Sequence, residues 1–314
     1  MKTIRRLFVI IAFVLIIGGI GLVTIYGIKT GFKFKEELVT NTHDNLASYE
    51  SMDLEIEIAD VEFINSDSFK VVCIETEKLT HEVKVENNTL KINYKDDLKW
   101  YEKIFGFRYQ DTKVEIYLPY GEYNNLKIKA ATGDITIPAE YSFNKIDMTV
   151  STGDAKIKAS AKEMSFNSST GDITLENSKY ENLTVVGTTG AVNLTKIEVE
   201  NNLKIETSTG EIKLNDVKAK GLKAETSTGD ILVYETLIDG DMNLITSTGD
   251  VTFRAADAKS IKVETSTGDV TGSLLTGKAF TTKTSTGDIN VPSNSGTDTC
   301  DIRTSTGDIE ITIK

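Results

Sequence analysis

Apolar and polar side chains alternate along most of this chain with a period of two residues. In “LKIETST” (203–209), the alternation places Leu203, Ile205, Thr207 and Thr209 on one face and the Lys, Glu and Ser residues on the other. After a Gly-Glu pair, “IKL” (212–214) continues the same alternation. A period of two is typical of β-strands that bury one face, so the pattern predicts strands joined by sharp corners.

The corners recur at a regular interval. Each contains a glycine preceded by a threonine, and the glycines lie 18–20 residues apart: Gly133, Gly153, Gly171, Gly190, Gly210, Gly229, Gly249, Gly268, Gly287 and Gly307. A period near 19 sustained over ten units is typical of a solenoid, in which each unit covers only its neighbours. The sequence therefore predicts an all-β fold, a β-solenoid similar to a parallel β-helix, with about ten 19-residue coils.

We interpret the corner as structural. Glycine adopts bends that strain other residues, and the acid that usually follows it can accept hydrogen bonds from backbone N–H groups. By parity the threonine before the glycine faces inward, where threonines stacked about 4.8 Å apart would form a ladder. The predicted corner residues are Thr132, Gly133, Thr209, Gly210, Thr228, Gly229, Thr248, Gly249, Thr267, Gly268, Thr286, Gly287, Thr306 and Gly307.

A looser apolar position follows each corner by seven or eight residues. It predicts a third, shorter side of the coil at Ile197, Val217, Leu237 and Leu275.

Upstream of the regular units, the same pattern continues in a degenerate form. Ala59-Asp60 takes the Gly-Asp position, “EVKVENNTLKINY” (82–94) predicts two strands around an Asn-Asn turn, and “VEIYLP” (114–119) predicts another strand. Between the last two, “DDLKWYEKIFGFRYQD” (96–111) contains five aromatic residues. Because a solenoid needs covered ends, we expect this segment to cap the first coil; contact with a ligand or a membrane is the alternative.

The first 30 residues differ from the rest of the chain. “LFVIIAFVLIIGGIGLVTIYGI” (7–28) is a run of 22 residues without charge. As a helix it would span about 33 Å, slightly more than the ~30 Å hydrocarbon core of a bilayer. Lys2, Arg5 and Arg6 favour a cytoplasmic N-terminus. We predict a single-pass, uncleaved anchor in the cell membrane, with the C-terminal domain outside the cytoplasm.

These segments predict four regions. They are a transmembrane anchor (1–30), a juxtamembrane stalk (31–50), an N-terminal β and cap region with degenerate repeats (51–125) and the β-solenoid (126–314). Four of the 35 cationic residues and none of the 47 acidic residues lie in the anchor region, so residues 31–314 carry a formal net charge of −16. Such a domain is repelled by nucleic acid, which we exclude as a partner.

The C-terminus predicts an open end. “STGDIEITIK” (305–314) stops on a strand, and an uncovered strand edge can pair with another chain. We therefore expect end-to-end self-association through the C-terminal coil.

Metal binding is the strongest alternative interpretation of the corner. In-register coils would align a file of carboxylates whose best candidates are Asp230, Asp250, Asp269, Asp288 and Asp308. Calcium takes six to eight oxygen ligands, more than one aspartate per coil supplies, so we predict no metal site. The Thr-Ser-Thr arrays also resemble those of ice-binding solenoids, but such arrays need outward threonines and parity turns these inward.

Catalytic chemistry has little support. The two histidines, His43 and His81, have no Cys, Ser or acid at a spacing that suggests a dyad, and we interpret both as surface residues. Cys300 lies seven residues before its corner glycine, as Leu203 does in another unit, so we predict that it is a core residue. The glycines are single and widely spaced, so no nucleotide-binding loop is present in the sequence. We predict no catalytic residues and no cofactor.

An apolar N-terminal segment, “NTLKI” (88–92), “IYLP” (116–119) and serial “STGDI” units together resemble the bacterial putative-adhesin family, which includes LiaG-like cell-envelope proteins. The resemblance covers residues 50–314 and implies an envelope location without established enzyme activity. We expect a membrane-anchored, non-enzymatic binding or scaffolding module whose partner is an envelope protein or polysaccharide. The alternatives are an accessory or sensor component of an envelope stress response, a polysaccharide-active enzyme and a polymerising structural protein.

Overall fold

The structure is a computed structural model that describes residues 13–19, 21–22, 24–25, 37–97 and 111–314. The first three of these ranges are helical. Among the described residues, none belongs to a helix long and apolar enough to span a membrane. Much of the predicted anchor (7–28), and nearly all of the aromatic segment predicted to cap the first coil, lie outside the described residues.

Twenty-three β-strands account for most of the described chain. The N-terminal strands are β1 Leu38–His43, β2 Ser51–Ile58, β3 Asp60–Asn65, β4 Lys70–Thr76, β5 Leu79–Glu86, β6 Thr89–Asp96 and β7 Lys113–Leu118. The strands of the regular units are β8 Gly121–Thr132, β9 Ile135–Ile137, β10 Tyr141–Thr152, β11 Ala155–Ile157, β12 Ser160–Thr170, β13 Ile173–Thr189, β14 Val192–Thr209, β15 Ile212–Thr228, β16 Ile231–Tyr234, β17 Leu237–Thr248, β18 Val251–Glu264, β19 Val270–Leu274, β20 Ala279–Lys283, β21 Ile289–Asn290, β22 Thr299–Arg303 and β23 Ile309–Ile313.

The units stack as parallel coils, which confirms the β-solenoid. Side 1 is the segment that leads into each glycine, and its strands pair in the spatial order β6-β2-β8-β10-β12-β13-β14-β15-β17-β18-β22-β20. Side 2 follows the glycine, in the order β7-β3-β9-β11-β13-β14-β15-β16-β18-β19-β23-β21. Long strands such as β14 bend and contribute to both sides.

A short side 3 closes each coil. Its inward residues are paired in register at Tyr180, Val199, Ala219, Ile238 and Ala258, all of them buried. The predicted positions Ile197 and Val217 are also buried, whereas Leu237 and Leu275 are exposed and their neighbours Ile238 and Leu274 are buried instead. The third side is thus present with constant parity: Leu237 pairs with the outward residue Lys218, so the sequence placed the inward position one residue too late in these units.

The core is a column of apolar side chains that runs through the coils from Met52 to Ile311. Glycines align along it as predicted, and Gly229 shows why no other residue fits. Its φ is +146°, and a Cβ there would lie 2.1 Å from the carbonyl oxygen of Gly210 in the preceding coil. Both the backbone angle and the close approach of two backbones require glycine.

The N-terminal region begins the solenoid in the predicted degenerate form. A Cβ on Gly133 would meet the Ala59 carbonyl oxygen, and the N–H of Asp134 donates to Asp60 Oδ1 (2.8 Å), so Ala59-Asp60 forms the first corner. β5 and β6 form the predicted hairpin, with Asn87 and Asn88 both at left-handed φ (51° and 59°). β4 pairs antiparallel with β7 and β1 pairs antiparallel with β4, so residues assigned to the stalk contribute a strand.

The C-terminal coil is not the end of the stack, contrary to our expectation. β22 lies between β18 and β20, and β23 lies between β19 and β21. The preceding unit, which contains β20 and β21, is therefore the outermost coil, so the open end lies there and not at the C-terminal coil; self-association itself stays a prediction. The repeat period sets the distance between units along the chain but not their order in space.

Buried Lys278 makes polar contacts at the place where the order of the last two units is exchanged. Its side chain is 0% exposed, and its Nζ donates to the carbonyl of Ala258 (2.7 Å) and the hydroxyl of Thr276 (2.9 Å). Carboxylates of Asp257 and Asp298 lie 2.5 and 3.4 Å from the same nitrogen. The amine thus joins the outer unit to the coil that precedes the exchange.

Candidate functional surface

The first threonine of each T-S-T-G segment, not the second, faces the core. Thr246 is 3% exposed, and its Oγ1 donates to the carbonyl of Gly229 in the preceding coil (3.1 Å). Matching bonds of 3.0–3.3 Å link Thr226 to Gly210, Thr265 to Gly249, Thr304 to Gly268 and Thr284 to Gly307. At a sharp corner the strand ladder does not reach the glycine carbonyl, and in these five units the threonine hydroxyl satisfies it. Thr207 is the exception, because its hydroxyl is buried without a partner.

The second threonine faces solvent, so the predicted inward orientation was wrong. Thr132, Thr209, Thr228, Thr248, Thr267, Thr286 and Thr306 are exposed, as are the serines beside most of them. Side chains alternate only while a strand stays extended, and the chain has begun to bend at this position. These threonines still form a register column: Thr132, Thr152, Thr170, Thr189, Thr209, Thr228, Thr248, Thr267, Thr306 and Thr286.

Of the two threonines in each T-S-T segment, one faces solvent, and this argues against the ice-binding alternative. Thr207 and Thr209 are two residues apart, but Thr207 is buried while Thr209 is exposed. The T-S-T segment therefore presents one threonine column and one serine column to solvent, not the two threonine columns that the alternative requires.

The aspartate after the glycine carries the second corner bond. Asp250 Oδ1 accepts the backbone N–H of Asp269 in the next coil (2.8 Å), and Asp269 Oδ1 accepts that of Asp308. Equivalent bonds of 2.7–2.8 Å, in which each aspartate accepts the backbone N–H of the residue named after it, form three further runs. They are Asp60–Asp134–Asp154–Asp172–Ala191, Asp230–Asp250 and Asp308–Asp288. Each bond satisfies a backbone N–H that points away from the strand ladder. The candidate metal ligands of this file thus have a structural task that needs no cation.

A polar groove lies at the turn from side 3 into side 1, near the N-terminal end. It encloses about 490 Å³ and is lined by residues 122–124, 142–144, 160–162 and 179–181 with Glu50 and Glu200. Asn144 Nδ2 donates to Asn124 Oδ1 (3.0 Å), and Asn124 Nδ2 donates to Glu50 Oε2 (2.8 Å). Two amides and one carboxylate therefore form a hydrogen-bonded row across three successive coils.

Charged and aromatic groups complete this groove. Four carboxylates (Glu50, Glu122, Glu181 and Glu200) and two amines (Lys162 and Lys179) line it, whereas the rings of Tyr123 and Phe143 are buried beneath. A hydrogen bond to Glu198 (2.7 Å) raises the pKa of Lys179, which stays cationic. Amides, carboxylates and amines in a concave surface suit a ligand rich in hydroxyl or other polar groups.

The outward face of side 1 is a lattice of paired charges. Lys204 Nζ lies 2.9 Å from Glu206, and Lys223 bridges Glu206 of its neighbouring coil (3.1 Å) and Glu225 of its own (2.8 Å). Lys262 pairs with Glu264 in the same way. Such exposed pairs add little stability, but they give the coils a continuous, hydrated face.

Sequence reasoning missed a buried polar cluster in the N-terminal region. Cys73, Glu75 and His81 are all buried, and we had interpreted His81 as a surface residue. On β4, Glu75 lies two residues after Cys73 and four after Val71, so it is on the same buried face. Strict alternation along this strand would therefore have predicted a buried carboxyl group. Cys300, by contrast, is a core residue in register with Ile261, as predicted.

Comparisons with known proteins agree with this architecture. Residues 49–312 match the model of the family described as Toastrack DUF4097. A putative adhesin from Parabacteroides merdae has a TM-score of 0.52 and 12% identity, over 77% of this chain and 98% of that chain. A putative adhesin from Parabacteroides distasonis has a TM-score of 0.51 and 9% identity, over 88% and 98%. At these identities the likeness concerns the fold alone. No curated protein matches this chain.

Proposed function

Since the chain belongs to the Toastrack DUF4097 family, we propose that it is a non-enzymatic binding or scaffolding module of the bacterial cell envelope. In this proposal residues 7–28 anchor it in the membrane and the coils extend outside the cytoplasm. Two structures of similar fold are described as putative adhesins, which motivates a role in binding.

The groove that contains the Asn124–Asn144 row carries the proposal. Its amides are held by hydrogen bonds, so a ligand meets pre-arranged donors and acceptors and little conformational entropy is lost on binding. The ligand class that fits is a polar polymer such as an envelope polysaccharide, which can lie across several coils. Net acidity of the domain disfavours strongly anionic polymers.

A binding assay with the full-length chain in mild detergent tests this. Immobilised polysaccharides and purified envelope proteins would be titrated with wild type and with an Asn124→Ala, Asn144→Ala double variant. We expect a polysaccharide to bind, with affinity lowered at least tenfold in the double variant. Exposed Asn290 on β21, at the opposite end of the stack, gives the matched control Asn290→Ala, which should bind like wild type.

Two outcomes would refute the proposal. One is equal binding by wild type and the groove variant, which would place the ligand on another surface. The other is release of sugar from the polysaccharide, which would make the chain an enzyme. Labelling of a Lys314→Cys variant by a membrane-impermeant thiol reagent in intact cells tests the location, because the two native cysteines are buried.

A further inference from the structure

The N-terminal region brings together metal-ligating side chains from β4 and β5, two strands that follow each other in the chain. Cys73 and Glu75 lie on the same face of β4, and His81 lies on β5. One ligand atom from each of these three side chains lies within 4.8 Å of the corresponding atoms of the other two. Sulfur, carboxylate oxygen and imidazole nitrogen at such spacing form a donor set typical of zinc sites.

These groups are buried as deeply as the apolar core. Cys73 is 0% exposed, Glu75 1% and His81 7%. Glu75 Oε2 accepts the backbone N–H of His81 (2.8 Å) and lies 2.9 Å from its Nδ1, while Asn41 Nδ2 donates to Glu75 Oε1 (2.6 Å). Burial raises the pKa of Glu75, and the hydrogen bonds from His81 and Asn41 lower it, with a net lowering.

Both histidines of the chain, His81 within this group and His43 outside its 4.8 Å spacing, have an unused nitrogen. Nε2 of His81 and Nε2 of His43 are buried without a hydrogen-bond partner. On β1, Asn41 is directly opposite Cys73 and His43 is opposite Val71. Because residues two apart on a strand share a face, His43 projects from the same face as Asn41, whose amide reaches Glu75. Buried polar nitrogens without partners are costly, and a metal ion would satisfy them.

We propose that Cys73, Glu75 and His81 bind one divalent ion of the zinc class, with His43 as the fourth ligand. On binding, a metal–sulfur bond forms, the S–H bond of Cys73 breaks and its proton leaves to solvent. A thiolate, a carboxylate, neutral imidazoles and a divalent cation sum to zero net charge, which suits a buried site. Asn41 is exposed and lies on β1, which pairs only with β4 among the described strands, so displacement of its side chain opens a path to Glu75.

Cobalt titration of the full-length chain tests the proposal, because Co²⁺ occupies zinc sites and absorbs light through sulfur-to-cobalt charge transfer. We expect this absorption to saturate at one Co²⁺ per chain and to disappear when Zn²⁺ is added. It should be absent in Cys73→Ala. The matched control is Cys300→Ala, which also removes a buried thiol, one whose pKa burial raises to about 12 just as burial raises that of Cys73.

Further variants separate a metal site from a purely structural Glu75–His81 pair. His81→Gln should weaken Co²⁺ binding at least tenfold, and His43→Gln should change the cobalt spectrum through loss of a ligand. Zn²⁺ should raise the melting temperature of wild type and of Cys300→Ala but not of Cys73→Ala, with circular dichroism used to verify that each variant is folded. The proposal is overturned if wild type shows no charge-transfer band at stoichiometric Co²⁺, or if the band persists in Cys73→Ala.

Discussion

The two threonines of a single T-S-T segment should differ sharply in their contribution to stability. Thr246 and Thr248 are two residues apart in the same coil, but Thr246 is 3% exposed and Thr248 faces solvent. Replacement by valine keeps the β-branched shape at either position and exchanges only the hydroxyl group for a methyl group. The pair is therefore its own matched control.

The expected magnitude follows from what each hydroxyl touches. In Thr246→Val the carbonyl of Gly229 loses its 3.1 Å donor inside the coil, and a buried unsatisfied acceptor costs about 1–3 kcal/mol. The added methyl group recovers part of this, so we expect a net loss of about 1–2 kcal/mol. Thr248→Val removes an exposed hydroxyl and should change stability by no more than about 0.5 kcal/mol.

Hydrogen exchange is the appropriate assay, because coils that contact only their neighbours can open locally rather than all at once. A loss of about 1.4 kcal/mol should raise exchange rates about tenfold. The amides of Gly249 and Asp250, which hydrogen-bond to adjacent coils, report this change. If Thr248→Val accelerates exchange as much as Thr246→Val, the assignment of inner and outer threonines is wrong.

Further consequences of the corner and its surroundings can be measured in the same way. Gly249→Ala places a Cβ 2.1 Å from a backbone oxygen at φ +150° and should cost about 3 kcal/mol or more in chemical denaturation. Asp250→Ala should cost about 1–2 kcal/mol and Asp250→Asn clearly less, since asparagine keeps an acceptor oxygen; equal losses would contradict the ladder. Lys278→Met removes the donor to the buried carbonyl of Ala258 and should cost about 1–3 kcal/mol, with faster exchange confined to 276–298; unchanged exchange there would contradict its structural role. Ala255→Gly relieves a left-handed residue (φ 51°) and should stabilise the fold by about 1 kcal/mol, whereas a loss would show that the angle carries no strain.

The sequence was sufficient for the repeat and for the glycine corner. Gly229 and its equivalents can be recognised because one residue type meets both a backbone angle and a steric limit. The same reasoning identified Ala59-Asp60 as a degenerate corner and Asn87-Asn88 as a hairpin turn. In each case a local physical requirement selects a residue type, and that selection is visible in the sequence.

Features without such a selection could not be predicted. The corner between sides 2 and 3 uses left-handed residues of unrelated types: Asn177, Lys196, Asp216, Glu235 and Ala255. Asn177 and Asp216 are of types that adopt this conformation readily, but Lys196, Glu235 and Ala255 are not, so no residue type marks the bend in every unit. The position of β22 between β18 and β20 is likewise hidden, because all the units have similar sequences and any two can pair. His81 was missed because polar residues are expected outside, and only its contact with Glu75 explains its burial.

The chemistry of the corner also indicates where binding can evolve in this fold. In a T-S-T-G-D unit the first threonine, the glycine and the aspartate satisfy backbone groups of adjacent coils, so these three positions are fixed by the stack itself. A ligand site can use only positions that the stack leaves free. Both candidate sites follow this rule: the amide groove lies at the turn into side 1, and the Cys73 cluster lies on antiparallel strands outside the regular coils. Specific recognition is therefore expected in the degenerate N-terminal region and on the first regular coils beside it, while the later coils serve as rigid support.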